Sequence, residues 1–309
     1  MKSYRLLVVL ITISFVIGCG SGQKVNDSPP HLTDGMAAMQ KGIAAYQRGC
    51  YRRALDHFFR AHENFAASDQ LAGVAMSMNN IGNVYRFIGD PASARLFFNE
   101  AIGIYISIGD TAGAQQALSN KAALLIDLNA LEEAQDTLRL AENVTKGKKE
   151  TATLLNNQGV LLIEQKAYAQ AEDVLNRGLG LVSADDLPHY ATLNYSLGRL
   201  MMATKRWEPA RGYFETALQA DRQQGFHKGM ADDLAALGRI YQAQAQYKTA
   251  AAFFQRSIKI YALIENKTQV QATLEQLEDA AAQSGVDIRV TQLFVERWLA
   301  GKMQDSPCK

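Results

Sequence analysis

Three asparagines and three arginines recur at related places along this chain. Asn79, Asn83 and Asn156 each carry a donor and an acceptor, so each could pair with an extended peptide backbone. Arg86, Arg199 and Arg239 could grip carboxylates through their planar forks, and Tyr195 offers a stiff amphipathic contact. This is the chemistry of binding rather than of catalysis. His57 and His62 stand five apart, not at the i, i+4 spacing of a helical metal pair, and Glu63 does not complete a known site. No serine sits in a G-x-S-x-G elbow, and the carboxylates are scattered. Gly18, Gly20, Gly22 and Lys24 lack the spacing of a phosphate loop, and no strand precedes them. The expectation is therefore no catalytic set, no metal and no cofactor. An enzyme with a dispersed site, which leaves no spacing signature, is the remote alternative.

The elements that must position these residues are repeats. Ala54, Ala94, Ala134, Ala171, Ala210 and Ala250 are separated by 40, 40, 37, 39 and 40 residues, each within the same local pattern. Self-similarity at such a period means one supersecondary unit used repeatedly, which overrides the two-domain prior that 309 residues would suggest. Hydrophobic residues make up 48% and charged residues 20%, with Ala, Leu, Gln and Met at helical spacing and little strand-type alternation. The chain reads as all-α. In the second unit Gly89 suits the left-handed end of a first helix, Asp90 caps a second and Pro91 takes its first turn. Gly82 and Ala94 let the two helices approach closely, while Phe98 and Ala101 form a large–small pair directed at the following unit.

Five columns align across six units. A small residue of the first helix is Gly42, Gly82, Ala122, Gly159, Gly198 and Gly238, and a bulky one three places on includes Tyr85, Leu125 and Tyr241. Tyr51, Pro91, Leu131, Tyr168, Trp207 and Tyr247 open the second helices. Phe58, Phe98, Leu138, Leu175, Phe214 and Phe254 lie four beyond the alanines, and Ala61, Ala101, Ala141, Gly178, Ala217 and Ser257 three further. The pattern resembles the tetratricopeptide repeat (TPR) in a form of about 40 residues rather than the usual ~34, and is weakest in the third and fourth units. The resemblance implies an α-α superhelix, a TPR solenoid of about six helix-turn-helix repeats over residues 35–265. Two helices near Thr268–Gln283 and Asp287–Ala300 (region 266–301) would cap its last apolar face, and 302–309 would form a loose tail.

In that family the first helices line a concave groove. The matching columns hold Asn79, Asn83, Arg86, Asn156, Tyr195, Arg199 and Arg239, the residues expected to meet a protein or peptide partner. The alternative for each is a solvated groove lining. Asn80, Asn120 and Asn157 match an asparagine that supports packing between units. The lysine of a carboxylate clamp is missing, while Ile126, Ile163 and Met202 suggest an apolar middle suited to an amphipathic helix or hydrophobic peptide.

The N-terminus is a targeting segment. Lys2 and Arg5 precede an apolar run from Leu6 to Ile17, too short for a ~20-residue span. It ends in Val16-Ile17-Gly18-Cys19, which resembles the lipobox of bacterial lipoproteins. That implies a signal peptide over 1–18, lipidation at Cys19 and a flexible tether over 19–34 rich in Gly, Ser and Pro. Gly20 in place of aspartate favours the outer membrane, facing the periplasm. Cleavage takes the formal charge from +1 to about −1, with nothing to suggest nucleic acid. Cys50 and Cys308 lie at opposite ends of the array, which argues against a disulfide between them, and Cys50 reads as a small apolar residue.

These readings converge on a membrane-anchored TPR scaffold or adaptor of the bacterial cell envelope. Similar lipoproteins suggest a pilotin-like helper or an adaptor for cell-wall hydrolases. A peptide-sensing regulator is the alternative.

Overall fold

The computed structural model describes residues 30–146, 150–303 and 308. Among them are fourteen α-helices. Six antiparallel pairs follow one another: α1 (Pro30–Gln47) with α2 (Tyr51–Ala67), α3 (Leu71–Ile88) with α4 (Pro91–Ser107), and α5 (Thr111–Asp127) with α6 (Leu131–Val144). Then come α7 (Ala152–Glu164) with α8 (Tyr168–Gly180), α9 (Leu187–Ala203) with α10 (Trp207–Gln224), and α11 (His227–Ala243) with α12 (Tyr247–Leu263). Two further helices, α13 (Lys267–Ser284) and α14 (Arg289–Leu299), close the array. This is the expected all-α solenoid. Helix α1 begins at Pro30, inside the stretch expected as tether, where proline suits a first helical turn.

The aligned columns are the packing of each pair. All six marker alanines are fully buried. The bulky residue four positions on lies over the small residue of its own first helix. A Cβ on Gly42 would come within 2.4 Å of the Phe58 ring, on Gly82 within 2.8 Å of Phe98, and on Gly238 within 2.5 Å of Phe254. Phe98 thus packs within its own unit, in a cluster that also holds Leu124 of the next one. Each buried phenylalanine contributes about 1.5–3 kcal/mol of transfer free energy, and only a missing side chain opposite it allows the approach.

Most turns between these helices place one residue in the left-handed region. Gly89 (φ 83°) supplies it before Asp90, whose side chain accepts from the Ser93 amide at 3.0 Å and from its hydroxyl at 2.7 Å. Those two bonds hold the Asp90 carboxyl below its ordinary range. Gly49, Gly109, Gly225 and Gly285 take the position at other turns, and non-glycine residues, Ala245 (φ 57°) among them, at most of the rest.

Each odd-numbered helix from α1 to α7 touches the next odd one, as α11 touches α13, whereas α9 and α11, like successive even helices from α2 to α12, meet at most marginally. The odd helices therefore form the inner circumference of the superhelix. Helix α13 covers α12 as expected of a cap, but the outer face of α14 leaves Val290, Leu293 and Phe294 exposed. No helix among the described residues is long and apolar enough to cross a membrane.

Candidate binding site

The inner face is built around a ladder of hydrogen bonds between units. The Asn80 carboxamide donates toward Met39 Sδ (3.6 Å), Asn120 to Asn79 Oδ1 (3.0 Å), Asn157 to the Ser119 carbonyl (2.7 Å), and the Ser196 hydroxyl to Asn156 Oδ1 (2.7 Å). Each rung joins a position of one repeat to the following position of the next. Asn80, Asn120 and Asn157 thus do the packing work expected of them. Asn79 and Asn156, expected to face a partner, are buried and serve as the acceptors of this ladder. With their carboxamide oxygens engaged between helices, they are structural in this conformation.

The other five expected residues keep a half-exposed place. Asn83 lies one turn beyond Asn79 on α3. Arg86 pairs with Asp127 of the next unit at 2.6 Å, and Arg199 with Glu164 of the preceding one at 2.6 Å. Tyr195 sits edge-on to Phe214 with centroids 5.3 Å apart. Burial, with Asp232 nearby, raises its hydroxyl pKa against the opposing influence of Arg239 and Arg199. These groups therefore share one electrostatic neighbourhood. Among the described residues Arg239 makes no ion pair.

A second set, which residue spacing does not reveal, meets across the superhelix. The turn between α10 and α11 touches the first two repeats. Phe226 stacks on Tyr46 (centroids 6.2 Å, interplanar 20°), and Tyr46 also packs on Phe87 at 5.5 Å. Phe87 stacks on Tyr51 at 6.0 Å, and the Lys228 ammonium lies 5.1 Å from the Phe87 ring centre. His227 Nδ1 lies 3.0 Å from the Arg48 carbonyl. A carbonyl can only accept, so Nδ1 carries the proton. Lys228 pairs with Asp232 at 2.6 Å, and the Tyr261 hydroxyl donates to the same carboxylate. Burial works to lower the Lys228 pKa, but Asp232 outweighs it and the ammonium is held charged. Burial raises the hydroxyl pKa of Tyr46, Tyr51 and Tyr261.

The same seam corrects two expectations. Cys50 and Cys308 form a disulfide, with Cα atoms 5.0 Å apart across 258 residues of sequence. Ends that are remote along the chain adjoin because the solenoid curves back on itself. Cys308 packs against the first-repeat core and so is not part of a loose tail. The sequence reading went wrong because it treated distance along the array as distance in space.

Behind the seam lies a buried carboxyl pair. Asp221 and Asp233, on α10 and α11, are 5% and 1% exposed. Gln224 donates to Asp221 at 2.7 Å, and a Cβ on Gly229 would fall 1.7 Å from the Asp221 carboxylate. Burial first, and then the like charge of neighbouring carboxylates including Asp232, pushes Asp221 up to about 7 and Asp233 well above the usual range. Both Asp233 carboxylate oxygens are buried without a hydrogen-bond partner among the described residues, which adds to the cost of ionising the pair. Among the described residues no group of three or more His, Cys, Asp or Glu is placed to hold a metal ion. Cys19 lies outside the described residues.

This geometry defines a TPR-type superhelix with a polar, aromatic-edged inner face. Residues 35–107 and 189–262 match the tetratricopeptide repeat family model. The unmatched middle holds α5 to α8, where leucine replaces phenylalanine over the small residue and α7 and α8 shorten to 13 residues. No curated protein matches the chain in sequence. Among solved structures, the Rap conjugation gene regulator of plasmid pLS20, in complex with the Phr* peptide, is similar with a TM-score of 0.59. Its identity is 16%, covering 91% of this chain and 82% of that one. Aspartyl phosphate phosphatase F from Bacillus subtilis is similar at a TM-score of 0.50 and 15% identity, covering 83% and 73%. At these identities the similarity shows the fold alone.

Proposed function

We propose that this protein is a lipid-anchored adaptor of the bacterial cell envelope that binds a peptide or helix of a protein partner on its inner face. The observation that carries the binding part is the clustering of Tyr195, Arg199 and Arg239 on that face. There Arg239 makes no ion pair among the described residues, whereas Arg86 and Arg199 are neutralised by neighbouring units. A half-buried guanidinium beside a rigid aromatic edge suits a carboxylate-bearing segment. The Rap regulator that shares the fold is in complex with a peptide, which supports this reading at the level of the fold.

The envelope part rests on Gly18-Cys19 after a short apolar run, with Gly20 behind it. The Cys50–Cys308 disulfide supports it too, since such bonds persist in oxidising compartments. A pilotin-like or hydrolase-adaptor role is the concrete form we favour.

Crosslinking in the native cell followed by mass spectrometry tests the proposal. The unaltered protein captures an envelope partner, and Asn83→Ala with Arg199→Ala and Arg239→Ala loses it. Retention of every partner by the triple variant would remove the inner face as the site. A peptide-sensing regulator is the second reading, favoured by the contact between distant repeats, which a bound peptide could shift. Thermal stabilisation by a short peptide would support it over the adaptor.

A further inference from the structure

The structure points to a redox latch: we propose that the superhelix is shut at one seam, and that the Cys50–Cys308 disulfide holds it shut and so controls access to the inner face. The inference goes beyond the adaptor reading and does not need the partner to be known.

Four contacts converge on the seam. Phe226 stacks on Tyr46, Lys228 lies over Phe87, and His227 donates to the Arg48 carbonyl. Gly49, in a left-handed turn (φ 74°), lies so close to Ile264 that a Cβ there would be 2.7 Å from it. All are single side-chain or turn contacts between helix ends, without a continuous helix–helix interface. Alone they are the kind of contact that opens locally.

The disulfide adds a covalent limit. Cys50 caps the start of α2 in the first repeat, and the short segment from Leu299 to Cys308 can span at most about 30 Å. While the bond is intact, the end of α14 cannot move further than that from the first repeat. Cutting it removes the only covalent tie, other than the chain itself, between described residues of the two ends of the array.

The bond is also open to attack from one side. Cys50 is 3% exposed, whereas Cys308 is half-buried. A dithiol would therefore attack the Cys308 sulfur as its thiolate, form a mixed disulfide there and expel the Cys50 thiolate, which takes up a proton. Its second thiol then displaces Cys308. Two electrons and two protons pass to Cys50 and Cys308, and the dithiol becomes a cyclic disulfide.

Hydrogen exchange of the full chain, with and without dithiothreitol, tests the latch. In the oxidised protein the hydrogen-bonded amides of residues 46–50 and 226 are protected. After reduction they exchange at least about tenfold faster, a difference of 1.4 kcal/mol or more in local opening, while α5 to α7 are unchanged. Cys308→Ser gives the same pattern without reductant. Phe226→Ala, which keeps the disulfide, stays within about threefold of the oxidised protein, so the bond rather than the stack is the latch. The proposal is overturned if reduction leaves the seam amides protected, or if exchange rises evenly along the chain. It is equally overturned if Phe226→Ala opens the seam as far as reduction does, or if Cys50 is alkylated in the unreduced protein.

Discussion

The Ser196 hydroxyl donates to Asn156 Oδ1 across 2.7 Å, joining α9 to α7 inside a buried interface. Asn120 repeats the relationship toward Asn79 at 3.0 Å. The same polar side chains that could recognise a peptide are here consumed in setting the register between repeats.

Removing an acceptor of this ladder leaves a buried donor without a partner. Asn156→Ala strands the Ser196 hydroxyl and Asn79→Ala strands the Asn120 amide, each costing about 1–3 kcal/mol. Urea unfolding checks this. An unchanged midpoint for both would show that the ladder contributes nothing.

Close approach at the small-residue column makes an opposite pair of predictions. Gly238→Ala places a methyl 2.5 Å from Phe254 Cε1 and should destabilise by about 1–3 kcal/mol. Ala245→Gly, at a turn with φ 57°, should stabilise by roughly 0.5–1 kcal/mol by relieving left-handed strain. Thermal melts of both variants give the signs directly.

The buried carboxyl pair predicts a stability that falls as pH rises. Asp221 and Asp233 hold their proton more tightly when folded, so their contribution is complete below about pH 4, the unfolded carboxylate range, and is lost as pH climbs through Asp221's value of about 7. Lys228, Arg222, Asp232 and Gln224 also face the pair and set the local field. Asp233→Asn should therefore raise the denaturation midpoint at pH 8, leave it nearly unchanged at pH 4 and flatten the slope between. A variant as pH-sensitive as the parent would place the dependence elsewhere.

The proposed anchor makes its own prediction. Cys19→Ser should move the protein from the membrane to the soluble fraction and abolish the mass added by lipid. Continued membrane association without a lipid mass would show that Cys19 is not the attachment point.

Much of this molecule is local and could be read along the chain. Gly82 under Phe98, Asp90 capping α4 and Asn120 reaching the neighbouring unit all depend on residues one helix or one repeat apart. At that range helical period and turn chemistry decide the neighbours. The column alignment therefore yielded the helix pairs and their packing. It could not separate Asn83, half-exposed, from Asn79, buried four residues earlier, because that depends on how closely successive first helices approach.

The seam is of another kind. Whether Tyr46 meets Phe226, or Cys50 meets Cys308 across 258 residues, depends on small rotations between units summed over the whole array. No single repeat encodes that sum, and a few degrees per unit would leave the two ends apart. Period and residue type determined the solenoid and the helices that line its inner side. Only the accumulated curvature of the tertiary structure decided that its ends would meet, and that a disulfide would join them.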